Sequence, residues 1–191
     1  PTLLFPFAAP RVFGTLADAG PEAESQTRLL LWSVERTIAA LSAIGTDTHV
    51  DHRLHVVLPG SPNRGIFGGD GAYGEVKSAL DAIVNRWRSE PAWAQRVTLA
   101  HPRIGWVRGT GLMGGNDPLV EAVEAAGVRT WDTRGIAAEL VALCTADVRA
   151  RAATAPVTAD LTGGLSDDID LVALREQAVA QAAENADAAD G

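Results

Sequence analysis

Apolar and polar residues follow two different periods along this chain, and the two periods predict strands and helices in alternation. Continuous apolar runs that end in proline or glycine are typical of buried parallel strands, and they occur over 2–10, 53–60, 96–105 and 155–164. Apolar residues at helical spacing, with cap and stop residues at the ends, predict helices over 21–45, 71–89, 116–127 and 132–144. Because strands and crossover helices alternate, we predict a doubly wound α/β fold with a parallel sheet.

The composition changes near residue 165, which divides the chain into a predicted domain over 1–165 and a tail over 166–191. The tail carries seven acidic residues and one basic residue, Arg175, so we predict an acidic linker or helix there. Within the domain, Asp70 is a candidate cap for the helix over 71–89.

Length, charge and cysteine content exclude several classes of protein. A chain of 191 residues is enough for one domain with a core, and its net charge of −8 argues against a nucleic-acid-binding surface. No apolar run approaches the ~20 residues that cross a bilayer, so we predict no membrane span. The single cysteine, Cys144, cannot form an internal disulfide, which favours a reducing, cytoplasmic compartment. Its apolar helical surroundings predict a buried thiol rather than a nucleophile.

The one tyrosine and the one lysine of the chain, Tyr73 and Lys77, stand four residues apart at the start of a predicted helix. Positions i and i+4 share a helix face, so both side chains can act on one ligand. An ammonium near a phenol favours the phenolate, and we expect it to lower the pKa of Tyr73 toward a value useful for general acid catalysis. Ser61 follows a predicted strand, and its hydroxyl could stabilise charge on the same substrate oxygen.

These residues resemble a known catalytic set. Ser61, Tyr73 and Lys77 are similar in order and context to the triad of short-chain dehydrogenase/reductases. The longer strings "PGSPNRGIFGGDGAYGEVKSALDAIVNRW" and "IGWVRGTGLMGGN" resemble the ketoreductase domain of type I fatty acid synthases from fungi and actinobacteria. The resemblance implies a Rossmann-like fold of which this chain forms the C-terminal half, and NADPH-dependent reduction of 3-oxoacyl-ACP to 3-hydroxyacyl-ACP.

The same resemblance implies individual roles. Tyr73 would protonate the keto oxygen, Ser61 would orient that oxygen, and Lys77 would hold the nicotinamide ribose. Gly105 and Thr110 would meet the nicotinamide end of NADPH, and "PFAA" over 6–9 stands where the family has a cofactor-contacting segment, which assigns Ala8 and Ala9 to cofactor binding. The implied partners are an acyl carrier protein domain and the other domains of a homo-oligomeric synthase.

Trp106 and Met113 flank the expected acyl site and are candidate substrate contacts. The sequence departs from the family at two positions. Ile104 replaces the usual proline, and Ser33 falls near the helix asparagine that completes the catalytic set in many members. The family's Gly-rich cofactor turn is expected upstream of Pro1.

Two alternatives remain open at this stage. "GTGLMG" over 109–114 matches a dinucleotide-binding turn that follows a strand, with Asp132 eighteen residues further on. The chain could also be a catalytically silent scaffold within a synthase. A metal site is not predicted, because His49, His52 and His55 have only Asp47 and Asp51 near them in sequence and no cysteine.

Overall fold

A single four-stranded parallel sheet organises the fold. The computed structural model describes residues 2–44, 54–112, 118–166 and 168–189. The strands are ordered β1-β2-β3-β4, with bounds Thr2–Leu4, Leu54–Val57, Val97–Ile104 and Val157–Leu161. Each strand pairs in parallel with the next one along the chain. The predicted parallel sheet is therefore confirmed, although β1 is much shorter than the predicted strand over 2–10.

Helices connect the strands and cover the sheet. They are α1 (Pro21–Thr27), α2 (Ser33–Ala43), α3 (Tyr73–Ser89), α4 (Pro91–Ala94), α5 (Val120–Ala125), α6 (Thr133–Ala142), α7 (Ala146–Ala152) and α8 (Leu171–Ala189). A π-helical turn over Arg28–Trp32 joins α1 to α2, so the helix predicted over 21–45 is interrupted. Its predicted stop at Gly45 lies outside the described residues.

Both faces of the sheet are buried. Val56 packs in a core cluster with Ile38 of α2 and Leu80 of α3, whereas its neighbour Val57 packs with Trp131 and residues of α6. Successive side chains of a strand point to opposite faces, so these two clusters lie on opposite sides of the sheet. Each fully buried Val or Leu contributes about 1.5–3 kcal/mol. This three-layer arrangement explains why the strands read as continuous apolar runs.

The structure corrects one expected helix end, and it contains helix α8 in the tail predicted as a linker or a helix. Asp70 does not cap α3, because its carboxylate accepts a hydrogen bond from Asn63 Nδ2 at 2.6 Å and the helix begins only at Tyr73. The tail is not a free linker throughout, since Leu171 at the start of α8 is buried in a core cluster with Leu165 and Trp106. None of the described helices combines the length and apolar character needed to span a bilayer.

Candidate active site

The carboxyl end of β2 continues into a buried segment that carries Ser61. This segment is held against β3, because Gly60 N donates to Pro102 O at 2.9 Å and Ile104 N donates to Gly60 O at 3.1 Å. Ser61 itself is 7% exposed. In an open parallel sheet, ligands bind beyond the carboxyl ends of the strands, so Ser61 lies at the edge where a ligand site is expected.

Helix α3 presents Tyr73 and Lys77 toward the same segment. Lys77 is 6% exposed, and its Nζ donates to Pro59 O at 2.8 Å, two residues before Ser61. The same Nζ lies 5.4 Å from the centroid of the Tyr73 ring. The i, i+4 spacing therefore places the phenol and the ammonium side by side, as the sequence predicted.

The Ser61 hydroxyl lies near enough to the Tyr73 phenol to act on its ionisation. Ser61 Oγ also accepts from Asn63 N at 3.1 Å, which fixes the orientation of the hydroxyl. Burial raises the pKa of Tyr73 to about 12, the Ser61 hydroxyl acts in the opposite direction, and the Asp70 carboxylate raises it further. The expectation that Lys77 would lower the pKa of Tyr73 is wrong for this structure, because desolvation of the phenol outweighs any such effect.

Burial also shifts the pKa of Lys77. It lowers the pKa of Lys77 from 10.5 to about 8, because an ammonium loses hydration when it is enclosed. A lysine that titrates near neutral pH can both hold and release a proton, which an arginine cannot do. The use of lysine at this position, in a chain otherwise rich in arginine, fits that difference.

A glycine-rich loop joins Ser61 to Tyr73, and Gln26 of α1 supports its end. Gln26 is 1% exposed, and its Oε1 accepts from Ala72 N at 2.7 Å. Gly71 has a φ of +60°, and a Cβ there would come within 2.6 Å of Phe13 O, so glycine is required. Sequence reasoning missed Gln26; the signal was a polar residue at a position that the helical pattern assigns to the core.

The expected cofactor contacts lie on the same edge of the sheet. Ala8 and Ala9 are exposed in the segment that follows β1, and Gly105 follows β3. Gly105 N donates to Leu161 O at 3.0 Å, and a Cβ on Gly105 would come within 2.1 Å of Thr162 O. Thr110 is exposed, with its hydroxyl 3.4 Å from Val107 O.

The remaining candidate residues are Trp106, Ser33 and Met113, and the structure does not bring Trp106 or Ser33 to the site. Trp106 is 1% exposed and packs in the core, with its ring centroid 6.2 Å from that of Phe67, which does not support the predicted substrate contact. The Ser33 hydroxyl donates to Leu29 O within its own helix, so it is engaged locally rather than with Lys77. Met113 lies outside the described residues.

The described residues contain no group of three side chains suited to holding a metal ion. His55 is buried, with Nδ1 2.8 Å from Thr98 Oγ1 and Nε2 3.0 Å from Leu143 O, so both nitrogens have protein partners. His49 and His52 lie outside the described residues. Burial raises the pKa of the half-buried Cys144 thiol, against a smaller lowering by Arg149.

The glycine-rich match over 109–114 is described as far as residue 112. Gly109 and Gly111 have φ values of +76° and +75°, and the chain turns there. Helix α5 covers Val120–Ala125 and has six residues. A dinucleotide-binding turn requires a helix that begins beneath its glycines, and residues 113–117, where such a helix would begin, lie outside the described residues.

No profile of a known protein family matches the chain. Curated relatives do match it: it is 41% identical over 165 residues to fatty acid synthase alpha subunit hexA of Dothistroma septosporum and 40% identical over 167 residues to fatty acid synthase subunit alpha of Saccharomyces cerevisiae. The chain is homologous to a segment of fungal fatty acid synthase alpha subunits. Each alignment covers 85% of this chain, and the synthase segment spans about a tenth of the length of these relatives.

Solved structures identify the fold of this chain. A 3-oxoacyl-[acyl-carrier protein] reductase from Brucella melitensis in complex with NAD superposes with a TM-score of 0.69 at 19% identity, covering 89% of this chain and 68% of that one. A 4-hydroxyisoleucine dehydrogenase complexed with NADH gives 0.68 at 14% identity, with coverages of 86% and 68%. The chain therefore has the Rossmann-like fold that these short-chain dehydrogenase structures share.

Proposed function

We propose that this chain carries the Ser–Tyr–Lys part of an NADPH-dependent 3-oxoacyl-ACP reductase within a fatty acid synthase. The observation that supports this most is the convergence of the three side chains: Lys77 Nζ lies 5.4 Å from the Tyr73 ring centroid and binds Pro59 O, two residues before the buried Ser61. The homology to fatty acid synthase subunits supports a fatty acyl substrate for this proposal.

The residues present fit a nicotinamide nucleotide. Among the described residues, the partner of the Lys77 ammonium is Pro59 O, which leaves two of its three N–H donors for the vicinal hydroxyls of a ribose. Ala8, Ala9, Gly105 and Thr110 would hold the rest of the nicotinamide end. When bound, NADPH supplies the hydride for reduction of the carbonyl carbon.

The chain's own residues handle the proton. With a pKa of about 12, Tyr73 keeps its proton at neutral pH and can donate it from the phenol oxygen to the substrate oxygen as that oxygen gains charge. The Ser61 hydroxyl hydrogen-bonds the same oxygen and stabilises its charge. The resulting phenolate takes a proton from Lys77, whose lower pKa of about 8 makes that transfer favourable.

The test uses the full-length parent polypeptide, assayed with NADPH and a 3-oxoacyl thioester. Tyr73→Phe should lower turnover at least about a hundredfold, the usual scale for loss of a general acid, while the dissociation constant for NADPH stays within about twofold. Lys77→Arg should also lose most turnover despite keeping its charge. Near-normal turnover of Tyr73→Phe would contradict the proposed function.

We further propose that residues 1–165 belong to one reductase domain whose Gly-rich cofactor turn is supplied by another part of the parent polypeptide. The β1 strand pairs through one edge only within the described residues, so its other edge can accept a further strand. The proposed partners are the acyl carrier protein domain and the other domains of a homo-oligomeric cytoplasmic synthase. A silent scaffold is the competing function, and the Tyr73→Phe comparison separates the two.

A further inference from the structure

A third polar residue continues the catalytic face of α3. Asp81 follows Lys77 by four residues and Tyr73 by eight, so the three side chains lie along one stripe of the helix. Asp81 has no part in the chemistry proposed above. Its contacts nonetheless lead back to the segment that carries Ser61.

The Asp81 carboxylate contacts two basic side chains from different parts of the fold. Its Oδ1 lies 2.9 Å from His101 Nε2 of β3, and its Oδ2 lies 2.6 Å from Arg64 Nη2 in the loop after Ser61. Burial by itself would raise the pKa of Asp81, but the hydrogen bonds from His101 and Arg64 outweigh it and lower that pKa. Asp81 is therefore an anion at neutral pH.

His101 also contacts the backbone just after β2. It is 4% exposed, and its Nδ1 lies 2.9 Å from Leu58 O. The His101 ring therefore bridges the Asp81 carboxylate and the backbone just after β2. The ring also abuts Gly60, where a Cβ would come within 2.8 Å of His101 Cε1.

Two consecutive carbonyls just after β2 are thus held by basic side chains. His101 binds Leu58 O and Lys77 binds Pro59 O. Arg64 ties the far side of Ser61 to the same carboxylate. The segment over 58–64 is consequently fastened on both sides of Ser61 to the helix that carries Tyr73.

We propose that Asp81 and His101 are positioning residues that keep the Ser61 hydroxyl in register with Tyr73 and Lys77. This inference rests on the proposed function for its effect on turnover, but the positioning itself can be measured without any reaction. A displacement of about 1 Å in a catalytic group can cost on the order of a hundredfold in rate, so a partial loosening should be measurable.

The experiment compares three variants of the full-length parent polypeptide. Asp81→Leu removes both bonds, whereas Asp81→Asn keeps an amide oxygen that can still accept from His101. Glu35→Gln is the matched control, because it removes the negative charge from another carboxylate–arginine pair between elements, Glu35 with Arg86 at 3.0 Å, on the surface between α2 and α3. The readouts are kcat and KM with NADPH and a 3-oxoacyl thioester, and amide hydrogen exchange of peptides covering 58–64.

We expect Asp81→Leu to lower kcat about tenfold, with Asp81→Asn between it and the wild type, while both KM values stay within about twofold. Exchange should rise at Gly60 and Asn63 in Asp81→Leu and remain unchanged at the far end of the sheet. Glu35→Gln should match the wild type in both measurements.

Unchanged exchange over 58–64 in Asp81→Leu would overturn the inference, and so would an increase spread evenly over the chain, which indicates general destabilisation. An unchanged kcat despite locally raised exchange would also overturn it. If the parent polypeptide reduces no 3-oxoacyl thioester, the proposed function fails, and the exchange comparison still decides whether Asp81 fixes the segment.

Discussion

At the scale of single residues, burial controls the chemistry of the candidate site more than proximity does. Tyr73 and Lys77 are neighbours, yet desolvation moves their pKa values apart, to about 12 and about 8 respectively. The tyrosine stays protonated at neutral pH and the lysine becomes the stronger acid of the two. In the proposed reaction, Tyr73 would therefore donate its own proton and Lys77 would replace it, and no phenolate would be stored before the reaction.

Direct titration of Lys77 tests this view. As the only lysine of the chain, it can be followed by trace acylation and peptide mass spectrometry in the parent polypeptide. Its reactivity should rise with a midpoint near pH 8, and in denaturant the midpoint should return to the ordinary lysine pKa of 10.5. A midpoint above about pH 10 in the folded protein would contradict the burial argument.

The same shift links Lys77 to stability. A depressed pKa means that the folded state binds the proton less tightly than the unfolded chain does. The contribution of Lys77 to the free energy of unfolding therefore increases as the pH rises from about 8 to 10.5 and is lost again as the pH falls through 8.

Sequence reasoning found Ser61, Tyr73 and Lys77 because their order and spacing are local. It gave the wrong direction for the pKa of Tyr73, because spacing says nothing about how deeply a phenol is enclosed. It also missed His101 and Asp81, whose contact joins a strand to a helix twenty residues away in sequence. Only the i, i+4, i+8 series on α3 carried a signal for Asp81.

At the scale of elements, β3 and β4 approach so closely at their carboxyl ends that only a glycine fits at position 105, directly after Ile104. A Cβ on Gly105 would come within 2.1 Å of Thr162 O, and that atom belongs to the backbone and cannot rotate away. The glycine is thus required by packing between two strand ends, whatever role it has beside a cofactor.

Gly105→Ala should destabilise this region by about 1–3 kcal/mol, the usual range for overpacking. Pulse proteolysis of the parent polypeptide in increasing urea measures the effect as a lower midpoint for cleavage of this segment. Gly20→Ala is the control, because its Cβ would meet only Asp18 O at 3.6 Å. Equal midpoints for the two variants would show that β3 and β4 can separate without cost.

Element types were predictable because the apolar runs and helical periods are strong, and the parallel sheet followed from their alternation. The boundaries of the elements were less predictable. The strand over 2–10 shortened to Thr2–Leu4, because only these residues find a partner in β2. The π-helical turn over Arg28–Trp32 left no pattern in the sequence, since its apolar residues suit an α-helix equally well.

At the scale of the whole molecule, the two core layers are complete around β2 and β3 but not around β1. Leu3, Phe5 and Phe7 are 45%, 40% and 39% exposed. Apolar side chains beside an unpaired strand edge favour association with another chain segment.

This 191-residue chain, expressed alone, should therefore neither bind NADPH tightly nor reduce a 3-oxoacyl thioester, and it should self-associate. Phosphate and adenine contacts in this fold come from a Gly-rich turn at the start of a helix, and the described residues offer none after β1. Fluorescence titration with NADPH and light scattering measure the two effects. A monomer with micromolar affinity would instead favour the turn over 109–114.

The sequential strand order has a consequence for synthesis on the ribosome. Each strand pairs with the one made immediately before it, across 43 to 57 residues of chain. At a translation rate of roughly 5–20 residues per second, each new strand emerges a few seconds after its partner. Among the described strands, β2, β3 and β4 can therefore each pair with a strand that has already been synthesised.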